Sequence, residues 1–277
     1  MSHVRSIAVL ALFLCVPTCP AALILNPTFD NSGAATWDAA REGVVNQAIA
    51  DWQNVITGIS DGMGGITDIT VNFNVDFTDV AGSYLGQWSG GASAFLGADI
   101  RPWEATDGSY NVTHDIHFNA AYFTGANQLW FDPTPTDDGL DKAFADWDAL
   151  TVARHEIGHM LGFSGLYSDE FGTAAESNPW SDLIDGEVFD PTGLSIAMEP
   201  GDVGHVLDDA LLMDTALGNN EYRIGISQTE AQMLSLAYGY TLNATAVPEP
   251  NLFLALAGVA GFCRLMPRRK RRVLAAA

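Results

Sequence analysis

Basic residues are scarce in this 277-residue chain, where 12 Lys and Arg stand against 34 Asp and Glu. Seven of the 12 lie near the ends (Arg5, Arg264, Arg268, Arg269, Lys270, Arg271 and Arg272), so 22–247 keeps five against 33 carboxylates. A body with a net charge of about −28 does not bind nucleic acid or anionic lipid by charge. Cysteine is scarcer still. Cys15, Cys19 and Cys263 all fall in the terminal segments, which leaves the body without a disulfide, a thiolate metal ligand or a cysteine nucleophile. Internal repeats are also lacking.

The two ends read as processing signals. Residues 1–21 carry Arg5, an apolar run over 7–16 and the small-residue cleavage pattern Cys19-Pro20-Ala21, as in a secretory signal peptide. Neither cysteine lies in a lipobox, so no lipid anchor is expected. At the other end, Val247-Pro248-Glu249-Pro250 precedes an apolar stretch over 252–266 and then Arg268-Arg269-Lys270-Arg271-Arg272. The stretch is short of the roughly 20 residues of a stable membrane span, and the basic cluster would stay cytoplasmic. This order resembles the PEP-CTERM sorting signal. The resemblance implies a Gram-negative host, transient insertion of the tail in the inner membrane and its removal by an exosortase. The product would be secreted or held at the cell surface or in the extracellular matrix.

Between the ends the chain alternates helix-like and strand-like patterns. Residues 37–56 predict an amphipathic helix with Val44, Val45, Ala48, Ile49, Trp52, Val55 and Ile56 on one side, after a short polar segment over 26–35. A Gly-rich break covers 58–65. Ile69, Val71, Phe73, Val75 and Phe77 alternate with polar residues, the clearest strand in the chain. Further short strands are expected over 84–88 and 92–100. His114-Asp115-Ile116-His117-Phe118-Asn119 predicts an edge strand with Ile116 and Phe118 inward and Asp115, His117 and Asn119 outward. The acidic loop 132–141 could hold calcium through its carboxylates. Its spacing matches no EF-hand, so a solvated loop is expected. Residues 164–203 show little periodicity. Ser227-Gln228-Thr229-Glu230 is a capping box that opens a last helix ending at Gly239.

The chemistry sits in His155-Glu156-Ile157-Gly158-His159. Histidines four apart on a helix share one face, so both imidazoles can reach one metal ion, and the adjacent glutamate can take a proton from an attacking water. Leu150, Ala153, Ile157 and Leu161 supply the buried side of a helix starting at 146–148, and Gly162 suits its C′ position. Two histidines do not complete a catalytic site, which ordinarily has three protein ligands and one open position. The short H-E-x-x-H-x-x-G-x-x-H pattern fails at Gly165. Asp169, Glu170 and Glu176 are nearby carboxylates without helical periodicity, His114 and His117 precede the motif, and His205 is the one histidine after it.

The order of parts over 37–240 resembles a metzincin metalloprotease: helix and sheet, then the histidine motif, then Leu212-Met213 in the place of a Met-turn, then a capped last helix. Met198 is a rival for that turn. The Gly162-Phe163-Ser164 ending is similar to that of leishmanolysin-like proteases, in which the third histidine arrives late. The resemblance implies that His205 joins His155 and His159 as a zinc ligand, with Glu156 as general base. It also implies an α+β fold, with a twisted mixed sheet and two helices over 22–163. A loop-rich part with a last helix follows over 164–243, and the sorting tail over 244–277. The expected function is a secreted zinc endopeptidase acting on protein or peptide substrates, with the 114–119 strand pairing with the substrate. A non-catalytic matrix or surface protein of the same fold is the alternative, and a hydrolase of a non-peptide bond a third. No tyrosine follows Met213 where some metzincins carry one.

Overall fold

Alternation of apolar and polar side chains builds the main sheet, and helical spacing builds the layer packed on it. A computed structural model describes residues 22–60, 66–67, 69–79, 83–90, 114–124, 127–137, 139–163, 188–189, 196–199, 202–208, 210–215, 217, 223–238 and 240–243. Its elements run β1 (Leu23–Phe29), α1 (Ala39–Val55), β2 (Ile56–Ser60), β3 (Ile66–Thr67), β4 (Ile69–Thr78), β5 (Gly86–Gly90) and β6 (His114–Asn119). Then come β7 (Leu129–Trp130), β8 (Trp147–Asp148), α2 (Ala149–Met160), β9 (Val188–Phe189), β10 (Ile196–Glu199), β11 (Asp202–Val206), α3 (Gln228–Tyr238) and β12 (Tyr240–Leu242). Among the described residues, mixed α and β content, with a mixed sheet and three helices, is compatible with the α+β class.

The largest sheet has the order β1-β4-β6-β5, with β1–β4 and β4–β6 parallel and β5–β6 antiparallel. Val71, Phe73, Val75 and Phe77 of β4 are buried, in one core with Ile116, Phe118 and the Val44, Val45, Ala48 and Trp52 stripe of α1. The opposite face is polar and internally bonded, with Asn26 to Asn72 at 3.1 Å and Asn74 to Asp115 at 2.8 Å. β1 runs from three residues before the segment that reads as polar into its first four residues. Leu23 and Leu25 anchor it in the core, and Pro27 is tolerated because β1 is an edge strand.

The strand expected at an edge is interior. β6 lies between β4 and β5, and β5 is the edge. His114 and Asn119 are buried, against the expected outward face for Asn119. Its amide leaves the sheet to donate to the Tyr84 carbonyl at 2.7 Å, while its oxygen caps a 3-10 turn by accepting from Ala121 N–H at 3.0 Å. α1 starts two residues later than expected because Asp38 caps it, accepting from the N–H groups of Ala40 (3.1 Å) and Arg41 (3.0 Å). Trp37 instead enters the core, stacked on Phe77 at 4.3 Å. Ile56 continues as β2, which pairs with β12, so the last described strand joins the half that carries the main sheet. The expected 92–100 strand, residues 164–187 and the terminal segments 1–21 and 244–277 lie outside the described residues. Among the described residues no helix is long and apolar enough to cross a membrane.

Candidate metal centre

α2 carries the histidine pair, and both its ends are fixed by side-chain and backbone chemistry. Asp148 caps the start, accepting from Thr151 N–H at 3.1 Å and Thr151 Oγ1 at 2.7 Å. At the other end Gly162 has φ 128°, a region closed to most residues. Its N–H reaches the His159 carbonyl at 3.0 Å, and Phe163 N–H reaches the Gly158 carbonyl at 3.1 Å. That pair of bonds is a Schellman motif. It turns the Phe163 carbonyl towards His159 Nδ1, which makes a short hydrogen bond to it. His155 Nδ1 bonds the Leu212 carbonyl at 2.8 Å. A ring whose Nδ1–H donates to a carbonyl presents Nε2 as a lone pair, the form a metal requires.

The three Nε2 atoms converge. His159 lies 2.9 Å from His155 and 3.1 Å from His205, and His205 lies 3.3 Å from His155. Ligand nitrogens at about 2.0–2.1 Å from a tetrahedral ion stand roughly 3.3–3.4 Å apart, so one pair of the trio meets that spacing and the other two lie inside it. The three-histidine group could hold a metal ion. His205 comes from β11, and backbone bonds fix its position relative to α2. Val206 N–H donates to the Met213 carbonyl at 2.9 Å, and the Met213 turn also supplies the Leu212 carbonyl that orients His155. Met213 is fully buried beneath α2, where a methyl group on Gly158 would stand 2.5 Å from its sulfur. The capping-box residue Glu230 does more than cap α3. Its buried carboxylate accepts from Met213 N–H at 2.7 Å and Ser227 N–H at 2.9 Å. Tyr240 Oη closes the arrangement on the Leu161 carbonyl at 2.9 Å.

Glu156 lies beside the trio on the floor of an open cleft of about 830 Å³. Its carboxylate accepts from the Trp88 N–H of β5 at 2.7 Å. Burial pushes its pKa up to about 8, partly opposed by that hydrogen bond. A divalent ion on the neighbouring imidazoles would pull it down again. Burial first, then the charges of His155 and His205, hold His159 well below the usual histidine range, so it is neutral and ready to ligate at neutral pH. β5 and residues 204–205, 211–212, 214–215 and 217 line the cleft, together with Trp147, Val152 and Ile224.

The other candidates stand elsewhere. His117 bonds Asp76 at 2.8 Å and Ser89 Oγ at 3.0 Å on the polar sheet face, and His114 accepts from the Trp88 indole at 3.2 Å. Met198 belongs to β10, whose backbone pairs with β11 rather than forming a turn. Asp169, Glu170 and Glu176 lie outside the described residues. The acidic loop is not simply solvated. Asp132 is buried against the Arg223 guanidinium at 2.7 Å, which also holds Asp148 at 3.1 Å. Asp132, Asp137 and Asp141 bring oxygens near one another, but Arg223 already supplies the positive charge there. Arg223 and the Trp88 N–H escaped the sequence because each acts across a distance in chain that no local pattern records. No protein-family model matches the chain, and no similar curated protein is found.

Proposed function

We propose that the chain is an exported zinc-dependent endopeptidase of metzincin type. The observation that carries this is the convergence of three imidazole Nε2 atoms within 2.9–3.3 Å beside a buried glutamate in an open cleft. His155, His159 and His205 would hold the ion. Zinc is preferred because three imidazoles with no thiolate, and a fourth position left to the cleft, match its catalytic donor set. When bound, zinc polarises a carbonyl and lowers the pKa of a water ligand towards about 7. Glu156 accepts the proton of the attacking water and returns it to the leaving amine nitrogen. Trp88 N–H keeps the carboxylate aimed into the cleft. Gly86 and Gly90 alternate with the residues that bond β6, so their backbone groups face away from it and offer an extended peptide a pairing edge.

The test is metal content together with hydrolysis of casein or gelatin by the purified protein. Stoichiometric zinc, hydrolysis abolished by a chelator and restored by zinc are expected. Zinc bound with no peptide cleaved would favour the non-catalytic matrix protein instead.

A further inference from the structure

We propose that the cleft selects peptides bearing positive charge on the residues flanking the scissile bond, an inference that rests on the peptidase assignment above. The described residues that line the cleft include Glu156 and Asp214 but no lysine or arginine. The described cations are each committed elsewhere. Arg154 turns away from the cleft to Asp51 at 2.5 Å and the Ile224 carbonyl at 2.9 Å. Arg223 is held by Asp132 and Asp148. Arg41 lies by Asp38 and over the Phe123 ring, and Lys142 donates to the Asp146 carbonyl. The remaining carboxylates of the body, with 33 acidic and five basic residues over 22–247, set the sign of the field. A divalent ion on the histidines would attract the scissile carbonyl, but Glu156 opposes its charge within the same site. Flanking residues reach past that pair to the rest of the lining, which includes the half-buried Asp214.

Screening sets the conditions of the test. At about 0.01 M salt the Debye length is roughly 30 Å and most of the body acts on the peptide, whereas at 0.5 M only rim charges in contact do. Two labelled peptides of equal length share an apolar core and differ in Lys or Glu flanks. Binding is read by fluorescence anisotropy on the zinc-loaded Glu156→Gln variant, and cleavage on the wild type. The Lys peptide is expected to bind, and to be cleaved by kcat/KM, on the order of tenfold better at low salt, with the ratio falling as salt rises. Asp214→Asn, which keeps the side-chain shape, should lower the ratio roughly one-and-a-half- to fivefold, the worth of a solvent-screened charge pair. Equal binding of the two peptides, a preference for Glu, or a ratio that ignores salt would overturn the inference while cleavage leaves the peptidase assignment standing. Selective binding of the Lys peptide with no cleavage of either would uphold the charge preference and remove the peptidase assignment.

Discussion

Gly158 sits between the two motif histidines, and a methyl group there would meet Met213 at its sulfur and Trp52 at 3.3 Å. Alanine's helix preference, worth about 1 kcal/mol over glycine, favours Gly158→Ala. Overpacking of a filled core, about 1–3 kcal/mol, opposes it and should win, because Met213 and Trp52 are both fully buried. We expect a lower melting temperature together with weaker metal binding, since the displaced turn holds His155 through the Leu212 carbonyl. Unchanged metal affinity would mean that the turn does not set the ligand's position. Glu156→Gln separates binding from chemistry. It should keep zinc and lower peptidase turnover by about 10²–10⁴ or more, as expected for loss of a general base. Near wild-type turnover would remove Glu156 from the mechanism.

Among the elements, α2 and β4 were the most legible. Both carry an unbroken period, and both fold near their expected bounds because their apolar faces are buried without competition. Strand order was not legible. The period-2 pattern of 114–119 tells which faces are apolar but not which neighbours pair with them, so an interior strand read as an edge. The capping box at 227–230 was legible as a helix start. Its second role was hidden, because a carboxylate that also takes Met213 N–H leaves no mark in the local sequence. Glu230→Ala strips the acceptor from two backbone donors, at about 1–3 kcal/mol for each buried group left unsatisfied. Urea denaturation should show that loss, and a drop in zinc affinity should accompany it. The ligand face of α2 also sets a pH dependence for the metal-free protein. The folded Glu156 carboxyl holds its proton up to about pH 8, whereas the unfolded group releases it near its ordinary value of 4.5. The contribution of Glu156 to stability is therefore lost as pH rises between those values. The depressed His159 acts in the opposite sense, costing stability as pH falls through 6.5. A thermal scan of chelated protein across pH should show both limbs, and Glu156→Gln should flatten the alkaline one.

For the whole molecule, the excess of carboxylates and the confinement of cysteine to the ends are sequence properties. Folding adds to them by pairing most of the described cations with carboxylates. The sorting-signal assignment for the tail makes a separate expectation. Intact-mass measurement of the exported protein from its native host should find the chain ending before Arg268, whereas retention of Arg268–Arg272 would indicate a lasting anchor. The site itself was partly legible. His155, Glu156 and His159 follow from one helix period, while His205, 46 residues beyond His159, could be chosen only by elimination and resemblance. Its approach to within 3.1 Å of His159 Nε2 makes a metal-bound structure the most direct test. Anomalous diffraction at the zinc edge on the zinc-loaded protein should give one strong peak, about 2.0–2.1 Å from the Nε2 atoms of His155, His159 and His205. A peak bound instead by Asp169, Glu170 or Glu176 with His205 outside contact, or no peak between the three histidines, would contradict the assignment.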